Sequence, residues 1–194
     1  PFTMAMGLEL GKISPESVYD DNKDIVVDGY TIKNFNESHF GRVTMTQVLE
    51  KSINAGTMYV QSLLSHDQFL RGIVDLGFSQ KAGTDFPGEA PGSIENLYTG
   101  RAINFMTASF GQGITATPLQ LVNGYSAIAN GGKLMRPYLV RTVRDSHGVV
   151  RETAPEVVST PFSEKTARRL STMLVSVVDK GFDKARIARY DVAG

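Results

Sequence analysis

Apolar positions recur at helical spacing in several stretches of the chain, and most of these stretches open on a residue suited to capping a helix. Thr44 followed by Gln47 has the form of a capping box, in which a hydroxyl and an amide satisfy two backbone N–H groups reciprocally, and Val48 and Leu49 begin an apolar face behind it. The pattern predicts a short helix to about Lys51. A second helix carries Met58, Tyr59, Leu63 and Leu64. Ser65 with Gln68 opens a third, built on Phe69, Leu70, Ile73, Val74 and Leu76 and ended by Gly77. Thr117-Pro118 is another start, threonine as cap and proline at the first helical position, with Gln120 closing the box. Leu121, Val122, Tyr125 and Ile128 are expected to be its buried stripe, and Gly131-Gly132 stop it. The last helix begins at Ser163 and buries Leu170, Met173, Leu174, Val177 and Val178. Phe2 to Leu10, rich in Met, Ala and Leu and followed by Gly11, forms one more.

Strand patterns are fewer. Ile25-Val26-Val27 and Tyr30-Thr31-Ile32 flank Asp28-Gly29, a pair suited to a type I′ hairpin. A second hairpin runs Tyr138 to Arg144 and Val149 to Glu152, turning at Asp145-Ser146-His147-Gly148. Phe78 to Gly92, with Gly83, Pro87, Gly88, Pro91 and Gly92, is loop, and Tyr190 to Gly194 reads as the beginning of a strand. The whole is a helix-rich α+β domain with no internal repeat, and its hairpins are too few for a large sheet.

Composition narrows the chemistry. At 194 residues, 41% hydrophobic and 21% charged, the chain can bury one core. Twenty basic residues balance twenty acidic ones, so no global field draws it to nucleic acid or an anionic membrane. The lack of cysteine excludes disulfides and thiolate chemistry. His39, His66 and His147 lie far apart and share no metal-type spacing. No apolar run approaches the roughly 20 residues of a membrane span.

Three segments could carry chemistry. Ser52-Ile53-Asn54 lies between two capped helices; in a turn, Ser52 and Asn54 project to one side while Ile53 points into the core. A purely local turn or capping role is the alternative. Phe110-Gly111-Gln112-Gly113 reads as a tight turn, with an anion-binding nest of N–H groups as the alternative. Asp85 and Glu89, in the stretch Gly83-Thr84-Asp85-Phe86-Pro87-Gly88-Glu89, read as carboxylates of a solvated loop.

These three segments, in this order, resemble the penicillin-binding transpeptidases of class B. Lys51-Ser52-Ile53-Asn54-Ala55-Gly56 is similar to their Ser-x-Asn motif. Gly77-Phe78 with Gly83 to Glu89 is similar to the loop after it. Ser109-Phe110-Gly111-Gln112-Gly113-Ile114 with Thr117-Pro118-Leu119-Gln120-Leu121 is similar to their Gly-rich turn and next helix, continued by Ala129-Asn130-Gly131-Gly132. The resemblance covers nearly the whole chain. It implies residues 1–194 to be an internal part of the transpeptidase domain, on the fold shared with serine β-lactamases. Pro1-Phe2-Thr3-Met4 resembles the helix immediately after the nucleophile motif Ser-x-x-Lys, and Asp191-Val192-Ala193-Gly194 resembles the residues immediately before Lys-Thr-Gly. The central antiparallel sheet is therefore expected to be incomplete. Many relatives have Gly-Thr or Gly-His near Lys180-Gly181-Phe182, where this chain differs.

The implied activity of the parent is serine-type D,D-transpeptidation of peptidoglycan stem peptides ending in D-Ala-D-Ala, with acylation by β-lactams. Ser52 and Asn54 are the implied catalytic residues, Asn54 also binds substrate, and no metal or cofactor is implied. The resemblance further implies cell-wall or divisome partners and a parent anchored in the cytoplasmic membrane with this domain outside. A penicillin-sensing or non-catalytic binding domain of the same fold is the alternative.

Overall fold

The computed structural model describes residues 1–194, the side chain of Asn36 excepted. Helix α1 (Phe2–Glu9) is buried on every side from Thr3 to Leu8, as a helix apolar around its whole circumference must be. Around it pack α3 (Asn54–Ser62), α4 (His66–Asp75) and α7 (Glu164–Ser176), while α2 (Met45–Glu50) and α6 (Pro118–Ala129) pack on α7. Met4, Val60, Phe69, Phe105 and Leu170 belong to the one core these helices share. Helix α5 (Ala102–Ala108) packs on α3 and completes the helical set.

Each helix start expected from a cap is present. Thr44, Ser65 and Thr117 form complete capping boxes with Gln47, Gln68 and Gln120, and Ser163 accepts from the Thr166 N–H. Helix α5 was not expected, and no side chain at its own N-cap announces it. Its cap is Asp28, whose carboxylate accepts the Ile103 N–H at 3.1 Å from a place 75 residues away in sequence. Asp28 itself lies in the β2–β3 hairpin (Ile25–Val27, Tyr30–Ile32), where φ of 50° at Asp28 and 81° at Gly29 give the expected type I′ turn.

The strands form four separate two-stranded antiparallel ladders among the described residues. Besides β2–β3, β6 (Thr142–Asp145) pairs with β7 (Gly148–Glu152) as the expected second hairpin, beginning later than Tyr138. Two ladders were not expected: β1 (Val18–Asp21) with β4 (Gly41–Thr44), and β5 (Leu134–Met135) with β8 (Val157–Ser159). Residues 191–194 form no strand, contrary to expectation, although the Gly194 N–H reaches the Leu174 carbonyl at 3.2 Å.

Helix α6 buries a different face from the one its apolar residues suggest. Gln120, Gly124, Ala127 and Ile128 are buried, whereas Leu121, Tyr125 and above all Val122, 63% exposed, are not. Small and hydrogen-bonded residues win the buried face by allowing close approach. Gly124 has no room for a Cβ beside Phe2, and the Gln120 amide donates to the carbonyls of Gly77 and Gln80.

Candidate functional site

The Ser52–Asn54 segment is a corner between two helices, and the local chemistry explains its shape. Helix α2 ends in a Schellman arrangement: the Ser52 N–H bonds the Leu49 carbonyl at 3.1 Å and the Ile53 N–H the Val48 carbonyl at 2.9 Å. That motif puts one residue in the left-handed region, usually glycine; here it is Ser52, at φ 53°. A non-glycine residue there carries strain of about 1–2 kcal/mol. Ile53 is then extended, caps α3 with its carbonyl and is 1% exposed, an anchor contributing about 2–3 kcal/mol of apolar burial. Asn54 is the first residue of α3, and its Nδ2 donates to the Lys33 carbonyl at a long 3.4 Å. The corner therefore does what a turn was expected to do, with Ile53 inward and its two polar neighbours outward.

Both polar side chains line the same cavity, of about 620 Å³, a size suited to a small-molecule or peptide ligand. Pro1 and Thr3 of the α1 start, Ser109 and Gly111 of the Gly-rich turn, and Gly194 also line it. Leu121 and Tyr125, the α6 residues expected to be buried, form part of its apolar wall together with Phe78. The structure thus brings Ser52 and Asn54 together with segments from both ends of the chain and from its middle. A hydroxyl and a carboxamide on one wall can donate to and accept from the amide of a bound peptide.

The Gly-rich segment is a tight turn. Its Gly111 and Gln112 N–H groups are spent on the carbonyls of Ala108 and Thr107, at 3.0 Å each, and Gly111 and Gly113 adopt φ of 90° and 77°. The turn is tied to α1 by the buried Thr3 hydroxyl, which donates to the Ser109 carbonyl at 2.7 Å.

Asp85 to Gly88 are exposed, as a solvated loop was expected to be, and the carboxylates of Asp85 and Glu89 also bind backbone N–H groups. Burial alone would raise Glu89, but hydrogen bonds from the Thr84, Ala82 and Gly83 N–H groups and the Thr84 hydroxyl prevail and hold it below the ordinary glutamate value. The Asp85 carboxylate accepts the Leu139 and Val140 N–H groups at 2.9 Å each, which lowers its pKa and ties the loop to the segment before β6. These carboxylates organise backbone, and neither lines the Ser52–Asn54 cavity.

At Lys180-Gly181, where the sequence departs from the resemblance, Gly181 lies against the Glu50 carbonyl so closely that a Cβ would overlap it. Glu50 accepts from the Ser176 hydroxyl and is 3.8 Å from the Lys180 ammonium. The end of α2, one residue before Lys51-Ser52, is thereby fastened to the end of α7.

The family model for the penicillin binding protein transpeptidase domain matches residues 1–194. The chain belongs to the penicillin-binding transpeptidase family. Among curated relatives of this family, stage V sporulation protein D of Bacillus subtilis is 31% identical over 99% of the chain. The probable peptidoglycan D,D-transpeptidase PbpC of Pseudomonas aeruginosa is 30% identical over all of it. The chain spans 30% and 33% of the lengths of these two relatives.

Solved penicillin-binding structures have the same fold. The transpeptidase domain of penicillin-binding protein 3 from Burkholderia pseudomallei superposes over the whole chain with a TM-score of 0.86 at 30% identity, the chain covering 56% of it. Penicillin-binding protein 3 of Mycobacterium tuberculosis, in complex with aztreonam, covers 99% of the chain with a TM-score of 0.84 at 26% identity, the chain being 42% of that protein. The α+β transpeptidase fold expected from the sequence is therefore the fold observed. No helix among the described residues is long and apolar enough to cross a membrane.

Proposed function

We propose that these residues form the middle of a peptidoglycan D,D-transpeptidase active site and that Ser52 and Asn54 line its acylation groove. The observation that carries the reading is the meeting, at one cavity, of the Ser52–Asn54 corner with Pro1, Gly111 and Gly194. Pro1 and Gly194 are the places beside which a Ser-x-x-Lys ahead of Pro1 and a Lys-Thr-Gly after Gly194 would stand. Residues 1–194 are accordingly read as one partial transpeptidase domain, continued on both sides in the full-length chain.

The chemistry is acyl transfer in two steps. The serine Oγ of Ser-x-x-Lys attacks the penultimate D-Ala carbonyl, forms an ester and passes its proton through the neighbouring lysine to the departing D-Ala amine. An amine of a second stem then attacks the ester, restores the amide and returns the proton to the serine. Ser52 hydrogen-bonds that lysine and relays the proton toward the leaving amine. Asn54 donates from Nδ2 to the carbonyl of the bound peptide and fixes its direction. β-Lactams acylate the same serine as mimics of D-Ala-D-Ala. Complexes of the mycobacterial relative with aztreonam and ampicillin support this choice of ligand. Membrane anchoring of the parent with this domain outside, and partners in the cell-wall or division machinery, belong to the same proposal.

A fluorescent penicillin distinguishes this reading from a non-catalytic one. The full-length chain is expected to label covalently at a serine in the segment preceding Pro1, and residues 1–194 alone to remain unlabelled. Labelling of the isolated 194 residues, or none of the full-length chain, would overturn it.

A further inference from the structure

The N-terminus of α3, which carries Asn54, lacks a cap of its own. Its N-cap position is occupied by Ile53, spent on anchoring the corner in the core, so no side chain there can accept the orphan N–H groups of the first turn. The acceptor comes from elsewhere. Asn34, buried in the connection between β3 and β4, accepts the Ala55 N–H through Oδ1 at 3.0 Å.

Asn34 does this only if its amide faces one way, and Asp21 sets that direction. Asp21, 0% exposed at the end of β1, receives the Asn34 Nδ2 on both carboxylate oxygens, at 3.1 and 2.9 Å. The same Nδ2 reaches the Ser38 carbonyl at 2.9 Å. A flipped amide would set oxygen against carboxylate and carbonyl, and NH₂ against the Ala55 N–H. Asp21 also accepts the Phe40 N–H at 3.0 Å, and the Lys51 ammonium sits over the Phe40 ring at 5.2 Å. One buried carboxylate therefore bears on both sides of the corner, on Lys51 through Phe40 and on Ala55 through Asn34. Lys33, next to Asn34, supplies the carbonyl that takes the Asn54 amide.

We propose that Asp21 and Asn34 are positioning residues for the Ser52–Asn54 corner, and that efficient acylation depends on them though neither lines the cavity. The proposal rests on the transpeptidase roles of Ser52 and Asn54. Without the relay α3 still packs through its apolar face, but its first turn frays and Asn54 loses its fixed bearing on the peptide, a loss that falls on the acylation step more than on initial binding.

The test measures the non-covalent dissociation constant and the acylation rate constant for a fluorescent penicillin in the full-length chain, well below the thermal midpoint of each variant. Asn34→Ala is expected to slow acylation about tenfold while moving the dissociation constant much less. Exchanging the pair, Asp21→Asn with Asn34→Asp, keeps an acceptor on Ala55 and a donor between the two residues. It should recover part of the rate and no more, because the second carboxylate oxygen at position 34 then faces the Ser38 carbonyl, which loses its donor, and the amide oxygen at position 21 that accepts from Phe40. If Asn34→Ala fails to fold, Asp21→Asn, of the same size, carries the test and is expected to slow acylation in the same direction. Asn54→Ala is the reference. Slow acylation in Asn54→Ala with a wild-type rate in folded Asn34→Ala, or in folded Asp21→Asn where that variant stands in, overturns the relay alone. A wild-type rate in Asn54→Ala takes the groove assignment down with it.

Discussion

Ser52 occupies a backbone position that favours glycine, and it does so at the corner where the proposed chemistry needs a hydroxyl. Strain retained at such a place is how a functional requirement overrides a structural preference. The two effects can be separated because they have opposite signs. Ser52→Gly removes the left-handed strain and is expected to stabilise the fold by about 0.5–1 kcal/mol, the relief exceeding the added freedom of the unfolded chain. The same change removes the proton relay and should slow acylation roughly 10²-fold. Denaturant unfolding and penicillin acylation of the full-length chain check the two halves. A variant that is less stable, or as fast as the parent, sets that account of Ser52 aside. Gly181 is the opposite case, a residue whose lack of a side chain is what the Glu50 carbonyl beside it demands.

Among the elements, what could be read from the sequence depended on where each helix finds its cap. Starts at Thr44, Ser65, Thr117 and Ser163 were legible because donor and acceptor lie within one turn of each other. Helix α5 and the start of α3 were not, since their caps, Asp28 and Asn34, come from remote segments. The β1–β4 ladder hid for a related reason: Val18–Asp21 ends in two acids and shows no apolar alternation, yet Asp21 is buried by its hydrogen bonds. The stripe on α6 misled because its buried face is won by Gln120 and Gly124, whose value lies in hydrogen bonding and close approach. Ser52 and Asn54 were singled out through a motif, whereas Asp21 and Asn34 left no local signal.

The loop from Ala82 to Glu89 adds a pH dependence at this scale. Glu89 titrates below its ordinary value of 4.5 in the folded chain, so it binds fewer protons folded than unfolded. Its stabilising effect is full above the ordinary glutamate range and is lost as pH falls through the depressed folded value. Amide exchange at Ala82, Gly83 and Thr84 is therefore expected to lose protection, relative to the core helices, as the solution is acidified below the ordinary carboxylate range. Glu89→Gln should remove that pH dependence. Protection unchanged on acidification, or unaffected by the substitution, contradicts the assignment.

At the scale of the molecule, the groove is assembled rather than carried by any one element. Its wall draws on α1, the α2–α3 corner, the turn after α5, the exposed stripe of α6 and the chain at Gly194. Thr3 fastens the Gly-rich turn to α1, Glu50 and Gly181 fasten α2 to α7, and Asp21 and Asn34 fasten the corner to β1. Such an arrangement suits acyl transfer, in which nucleophile, relay and substrate clamp must share one geometry while coming from distant parts of the chain. It also explains why the fold could be recognised from segments in series while the bracing between them could not. The most direct measurement is the first-order acylation rate of the full-length chain carrying Asn54→Ala. With the fold retained, a fall of roughly 10²-fold is predicted; a rate equal to the parent's would remove Asn54 from the groove and contradict the account.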